Sequence, residues 1–336
     1  MTDRSALADA FLASTRWAKA RRAPLAGDAS NRRYERLHMP VTGETAVLMD
    51  APPDKGEDVR PFVHIARHLH GLGLSAPEIF AEDTEHGFLL IEDLGDDLFS
   101  RVIPRWPDLE RTLYEAATDV LVALHDAPMP KLESYDPGLM TRMASLAFTK
   151  YRDPVIGTPD PDTQTRFAHR FEDILAQTTD NIPPVLTQRD YHADNLLWLP
   201  EREGIARVGL LDFQDAMSAH PAYDLVSLLQ DVRRDVPAAI EAAMIDRYIA
   251  ATGVDDHLFR TAYMVLGAQR GLRILGVFGR LGTDYGKPHY VDMIPKVWDN
   301  VARNLEHPAL APVANLLLDA LPRPTAAALK TLKQPC

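Results

Sequence analysis

The chain has 336 residues, 46% of them hydrophobic and 25% charged, with 26 Pro and 18 Gly. These fractions exclude disorder, collagen and coiled coil, and the length suits two domains or one two-lobed unit. Lys+Arg 36 against Asp+Glu 48 give a net charge of −12, which would repel a phosphate backbone, so nucleic-acid binding is not expected.

The first ~20 residues read as an amphipathic helix, with Leu7, Phe11, Ser14 and Trp17 at helical spacing. Strand character follows over 31–38 and 45–49, with a turn at Thr42 and Gly43. Residues 60–71 read as a helix, with Phe62, Ile65, Ala66 and Leu69 on one face and Gly71 as its stop. Two more strands are expected at 78–81 and 87–92. After Gly95 the pattern turns helical: 109–125, 139–151 and 163–178, then a compact β segment over 184–213, then helix from Pro221 almost to the end. The outline is an α+β chain, with a small β-rich N-terminal lobe over 1–94 and a larger, mostly helical lobe over 95–336.

The only cysteine, Cys336, permits no intrachain disulfide and none of the Cys-containing zinc patterns. No apolar run approaches the roughly 18 residues that a membrane helix needs. The N-terminal residues carry no basic and apolar secretory pattern. A cytoplasmic protein without a membrane partner is expected.

The most informative stretch is Gln188-Arg189-Asp190-Tyr191-His192-Ala193-Asp194-Asn195-Leu196-Leu197-Trp198, followed by Leu210-Leu211-Asp212-Phe213-Gln214-Asp215. Asp190 and Asn195 lie in a polar loop that runs into an apolar strand. A second apolar strand, 206–211, is expected to hairpin back through 201–204 and bring Asp212 to the same end. Two carboxylates and an amide oxygen there would be hard oxygen ligands suited to Mg²⁺, with one carboxylate left to accept a proton from an attacking hydroxyl. Phosphoryl transfer needs those parts.

Arg-Asp-x4-Asn followed by Asp-Phe resembles the catalytic and metal-binding signature of protein-kinase-like folds. The fuller form, Asp190-x-His192-x-x-Asn195 with Leu211-Asp212-Phe213, resembles the aminoglycoside phosphotransferase and choline kinase superfamily. That resemblance implies a bilobal protein-kinase-like fold with ATP between the lobes. It makes Asp190 the catalytic base and Asn195 and Asp212 the Mg²⁺ ligands. It places Asp28, Ala29, Ser30, Asn31, Arg32 and Arg33 in the loop that covers the phosphates. It makes Glu92, Asp93 and Leu94 the hinge (92–95) whose main chain would hydrogen-bond adenine. Within the superfamily, Arg32-Arg33-Tyr34, Met49-Asp-Ala-Pro-Pro53, Arg60-Pro-Phe62 and Asp212-Phe-Gln-Asp-Ala216 are most similar to the bacterial anomeric N-acetylmuramate/N-acetylglucosamine kinases of cell-wall recycling. The implied acceptor is therefore the C1 hydroxyl of an amino sugar.

Two departures stand out. The catalytic aspartate is preceded by Gln188-Arg189 where the family often has His-Gly. The expected third strand, 45–50, has no lysine for the α/β-phosphates, which leaves Arg32 or Arg33 as substitutes. His192 reads either as a loop-orienting histidine or as a substrate contact. Asp215 and Asp224 could contact a sugar hydroxyl, and Asp224 could equally cap a helix or hold the catalytic loop. Arg270, Arg273 and Arg280, set among the apolar positions of the C-terminal helices, read as solvated or ion-paired, or as holding an anionic substrate group. Another small-molecule kinase (for an aminoglycoside, choline or homoserine), a nucleotide-binding pseudokinase and a protein kinase are the alternatives.

Overall fold

The structure, a computed structural model, describes residues 4–25 and 31–334. The chain forms two compact units, residues 1–120 with 193–216, and 121–192 with 217–336.

The first unit begins with α1 (Arg4–Ala13), which is shorter than its pattern suggests. Trp17 reaches the core from the turn that follows the helix. A five-stranded antiparallel sheet comes next: β1 (Arg21–Leu25), β2 (Arg33–His38), β3 (Thr45–Asp50), β4 (Ile79–Asp83) and β5 (Phe88–Glu92), ordered β1-β2-β3-β5-β4. Register decides which residues share a face. Ala46 lies opposite Leu37, and Leu48 opposite Glu35 and Leu90. Ala46, Leu48, Leu37, Phe88 and Leu90 pack against Ala8, Phe11, Leu12 and Trp17 in one core cluster. The alternate residues, Val47, Met49, Leu89 and Ile91, face the other way and are also buried. Between β3 and β4 runs α2 (Arg60–Gly71), which buries Phe62, Val63, Ile65, Ala66 and Leu69. Its bounds are those the hydrophobic spacing predicts, because Pro61 suits the first helical turn and Gly73 (φ 75°) reverses the chain after it. After β5 come α3 (Phe99–Arg105) and α4 (Glu110–Asp126), the latter crossing the unit boundary.

The second unit carries α5 (Pro137–Ala144), a π-helical segment over Ala147–Arg152, α6 (Asp153–Ile156), α7 (Pro161–Thr179) and the short strand β6 (Val185–Thr187). The chain then enters the first unit with β7 (Leu196–Trp198) and β8 (Val208–Leu210), and leaves it for β9 (Met217–Ala219), which pairs antiparallel with β6. The rest is helical: α8 (Ala222–Leu229), α9 (Ala238–Thr252), α10 (Asp256–Thr283), α11 (Ile294–Leu305), α12 (Ala311–Ala320) and α13 (Ala326–Leu332). The 28-residue α10 is the core of this unit, with α5, α7, α8 and α11 packed on it.

Three features depart from the expected elements. Arg21–Leu25 is a strand although it reads as a basic, Pro-containing stretch. It lies at the sheet edge, where Pro24 costs no central ladder bond. Phe99–Arg105 is a helix the hydrophobic pattern does not announce. The helix expected over 139–151 is broken, since α5 ends at Ala144 and the π segment lies against α10 at Gly276 and Gly279. A Cβ at those glycines would stand 2.4 Å from the Leu146 Cβ and 2.0 Å from the Lys150 carbonyl oxygen. The first unit also extends beyond residue 94 and takes in a distant hairpin. Leu98 bridges Leu197, Ser75 bridges Gly209, and the N–H groups of Trp198 and Leu210 donate to the carbonyls of Asp97 and Ser75 at 2.8 and 2.9 Å. Among the described residues, no helix is long and apolar enough to cross a membrane.

Candidate active site

In the first unit the expected hairpin is present. Leu196 pairs with Leu210 and Trp198 with Val208, and the Leu211 N–H donates to the Asn195 carbonyl at 2.9 Å. The register sets Asn195, just before β7, beside Asp212, just after β8. The Asn195 side-chain amide donates to Asp212 Oδ2 at 3.4 Å, and the Gln214 amide donates to Asp212 Oδ1 at 2.7 Å. Asp212 has φ 58°, a left-handed conformation that turns the chain sharply at the strand end. Phe213 follows fully buried, its ring 4.8 Å from that of Phe62 on α2. With the Asn195 NH₂ turned toward Asp212, its amide oxygen and the half-buried carboxylate form a pair of hard oxygen donors. This set fits Mg²⁺, which takes one or two protein oxygens and completes its octahedron with phosphate and water oxygens.

The sheet of the same unit carries the other nucleotide candidates. Asp28, Ala29 and Ser30 lie outside the described residues. Arg32 Nε donates to Glu57 Oε2 at 2.9 Å, both side chains being largely buried, and the Asn31 N–H donates to Glu57 Oε1 at 3.0 Å. Arg33 differs from its neighbour. It pairs in register with Asp50, on the α1 face, and lines a cavity of about 210 Å³ with Arg4, Arg22, Glu35 and Asp50. Arg4 is ion-paired with Asp50 there. The β3 position that shares the opposite face with Tyr34 and Leu89 is Met49, so that strand offers no cation.

At the segment expected to be the hinge, Asp93 accepts from Arg36 at 3.0 Å and from the Gly95 N–H at 3.1 Å, and Glu92 is ion-paired with Arg202. Among the described residues no hydrogen bond engages the main-chain N–H of Asp93 or Leu94. Sequence reasoning missed Glu57, Arg36 and Arg202. Their partners lie 25 to 110 residues away along the chain, and no local pattern marks them.

In the second unit residues 188–192 lie against α8 and α10, through Asp224, Arg270 and Arg273. Asp224 on α8 is fully buried, and its two oxygens accept the main-chain N–H groups of Gln188 (2.6 Å) and Arg189 (2.8 Å). Burial pushes its pKa up to about 7 in spite of those two bonds. Of the readings open from sequence, this geometry is that of a residue holding the loop. Arg189, with φ 72°, sits over the Tyr135 ring at 5.3 Å. Asp190 has Arg270 Nη2 at 3.7 Å and Arg273 Nη1 at 4.0 Å from its Oδ1. Burial alone would raise the Asp190 pKa, but Arg273 and Arg270 together hold it below the usual carboxylate range. His192 is buried, and that burial, with Arg233 and Arg270 near, holds its pKa well below the ordinary value, so the imidazole is neutral. Asp215, in the first unit, is exposed.

Residues 21–262 match the phosphotransferase enzyme family. The chain belongs to that family. It is 41% identical to the N-acetylmuramate/N-acetylglucosamine kinase of Caulobacter vibrioides, an alignment covering 92% of this chain and 94% of the relative. Identity is 33% with the kinase of the same name from Pseudomonas aeruginosa, over 88% and 87% of the two chains. Among solved structures, a GDP complex of an aminoglycoside 2'-phosphotransferase IIIa variant aligns over 92% of this chain and all of its own (100%). Its TM-score is 0.60 at 14% identity, a likeness of fold. Antiparallel sheet and helical bundle thus have the protein-kinase-like architecture of this phosphotransferase family.

Proposed function

We propose that the protein transfers the γ-phosphoryl group of ATP, with Mg²⁺, to the anomeric hydroxyl of N-acetylmuramate and N-acetylglucosamine, giving the sugar 1-phosphate. The observation that carries the chemistry is the apposition of the Asn195 and Asp212 side chains, set beside each other by the β7–β8 hairpin. The acceptor comes from the likeness to the Caulobacter kinase over nearly the whole chain.

In this reading Asp190 orients the acceptor hydroxyl and takes its proton. Its low pKa keeps it ionised throughout the neutral range, while Asp224 fixes the main chain on which it is carried. Asn195 and Asp212 hold the metal. Bound there, Mg²⁺ neutralises charge on the nucleotide phosphates. The main chain of Glu92–Leu94 receives adenine, and the segment ending at Asn31, Arg32 and Arg33 covers the phosphates. Of the two arginines, Arg32 is the better substitute for the absent strand lysine. Glu57 accepts from its Nε at 2.9 Å and fixes it in place, and the pair links residue 32 to the segment leading into α2, whereas Arg33 lies on the α1 face.

The test is Mg²⁺-dependent ADP release with N-acetylmuramate, N-acetylglucosamine, kanamycin, choline and homoserine. Turnover confined to the two amino sugars, with loss of their reducing end, is the expected outcome, and Asp190→Ala lowers it by ~10²–10⁴. Turnover with another acceptor, or retention of rate in the variant, would overturn the reading.

A further inference from the structure

The surroundings of Asp190 hold more positive charge than one carboxylate balances. Arg270 and Arg273 stand three residues apart on one face of α10, and both approach the same oxygen, Asp190 Oδ1. At 3.7 and 4.0 Å these are attractions through space and too long for hydrogen bonds, so neither guanidinium spends a donor on Asp190 through those atoms. Arg270 is only 4% exposed. Its Nη2 donates to Ser227 Oγ at 2.7 Å, and its buried Nε finds no hydrogen-bond partner. Arg273 is held beside Tyr223 and keeps some exposure. Arg233 has the buried Asp231 at 3.9 Å, and Asp224 is turned toward the main chain of residues 188 and 189, which leaves Asp190 as the carboxylate that Arg270 and Arg273 share. A chain with a net charge of −12 has thus collected cations in one place. Burying unmatched guanidinium groups is costly unless an anion completes them, and a planar guanidinium matches a carboxylate bidentately.

We propose that Arg273, backed by Arg270, forms a subsite for a carboxylate carried by the acceptor sugar, which in N-acetylmuramate is the carboxylate of its lactyl ether. This rests on the reading of Asp190 as the residue that meets the acceptor. On that reading a group beside Asp190 meets the acceptor. N-acetylglucosamine has no carboxylate and leaves the subsite to water. Arg273 is the specificity determinant, and Arg270, tied to Ser227, is a positioning residue.

The two sugars make the experiment. Steady-state constants are measured for both with the wild type, Arg273→Gln and Arg273→Lys, and thermal midpoints establish that each variant is folded. The expected result for Arg273→Gln is a ratio of KM for N-acetylmuramate to KM for N-acetylglucosamine raised ~10–100-fold, the range of one lost charge-assisted contact, on top of a loss through Asp190 that is common to both sugars. Arg273→Lys, which keeps the charge and loses the fork, falls between. Equal losses on both sugars, or a fall in kcat alone, would show that Arg273 acts only through Asp190 and would overturn the subsite. Should the wild type turn over neither sugar while using ATP on another acceptor, the functional reading fails first and the subsite with it.

Discussion

Among the described residues two that are not glycine have positive φ, Arg189 (72°) and Asp212 (58°), and each adjoins or is a residue assigned to the chemistry. Such backbone costs about 1–3 kcal/mol and persists where the surroundings impose it. For Arg189 the imposing group is Asp224, and for Asp212 it is the end of the β7–β8 ladder. Strain and charge can be separated at Asp212. Asparagine tolerates the left-handed region nearly as well as aspartate, so Asp212→Asn is expected to keep the thermal midpoint while weakening Mg²⁺-dependent ADP binding at least ~10-fold. Asp212→Val, β-branched at positive φ, is expected to lower the midpoint as well. Titration calorimetry with and without Mg²⁺, beside a thermal melt, checks both. The apposition of Asn195 and Asp212 was legible in sequence, because two apolar strands joined by a polar turn carry both residues to one end. The partners that aim them were not. A half-buried Glu57 or Arg36 looks in sequence like any surface charge until the fold carries its counter-ion to it.

At the level of elements, legibility followed periodicity. Helix α2 and the apolar strands β3, β5, β7 and β8 were readable, since one buried face fixes their spacing. Strand β1, exposed and at an edge, has no such face, and the break after Ala144 depends on a helix more than 130 residues further on. That break gives a prediction. The α10 glycines 276 and 279 let the π segment approach until a Cβ at residue 279 would lie 2.0 Å from a carbonyl oxygen. Gly279→Ala improves helix propensity by about 1 kcal/mol yet is expected to destabilise the protein by about 3 kcal/mol, because backbone on both sides must move. Urea denaturation of the variant measures the balance, and a gain in stability would contradict the packing described.

For the whole molecule, stability against pH combines buried groups of opposite sign. His125, bonded to the Tyr248 hydroxyl at 2.8 Å, and His220, which accepts the Ala222 N–H at 3.1 Å, have pKa values lowered by burial to about 3 and about 4. Their contribution is present above the ordinary histidine value and is lost as pH falls. Asp224 works the other way. Its pKa is raised to about 7, so its contribution is present below 3.8 and is lost as pH climbs through 7. Between those limits the folded state holds one proton on Asp224 that the unfolded chain has released, which flattens the gain in stability on raising pH. Asp224→Asn removes that proton from the balance. Over pH 4–7 its stability is expected to rise more steeply than that of the wild type, by about 1.4 kcal/mol per pH unit, one proton's worth. Unfolding series at pH 5, 6 and 7 test the slope.

The path of the chain also sets a schedule for its synthesis. The first unit is complete only when residues 193–216 have joined residues 1–120. Ser75, Asp97 and Leu98, which bond to the β7–β8 hairpin, therefore wait on the ribosome for partners about a hundred residues or more downstream. At ~5–20 residues per second that interval lasts on the order of 5–20 s. Throughout it the nascent N-terminal part has no hairpin to cover Ser75 and Leu98, and α2 has no Phe213 against Phe62. Vectorial folding thus leaves this unit unfinished until nearly two thirds of the polypeptide exists, and makes it the part of the nascent chain most in need of a chaperone.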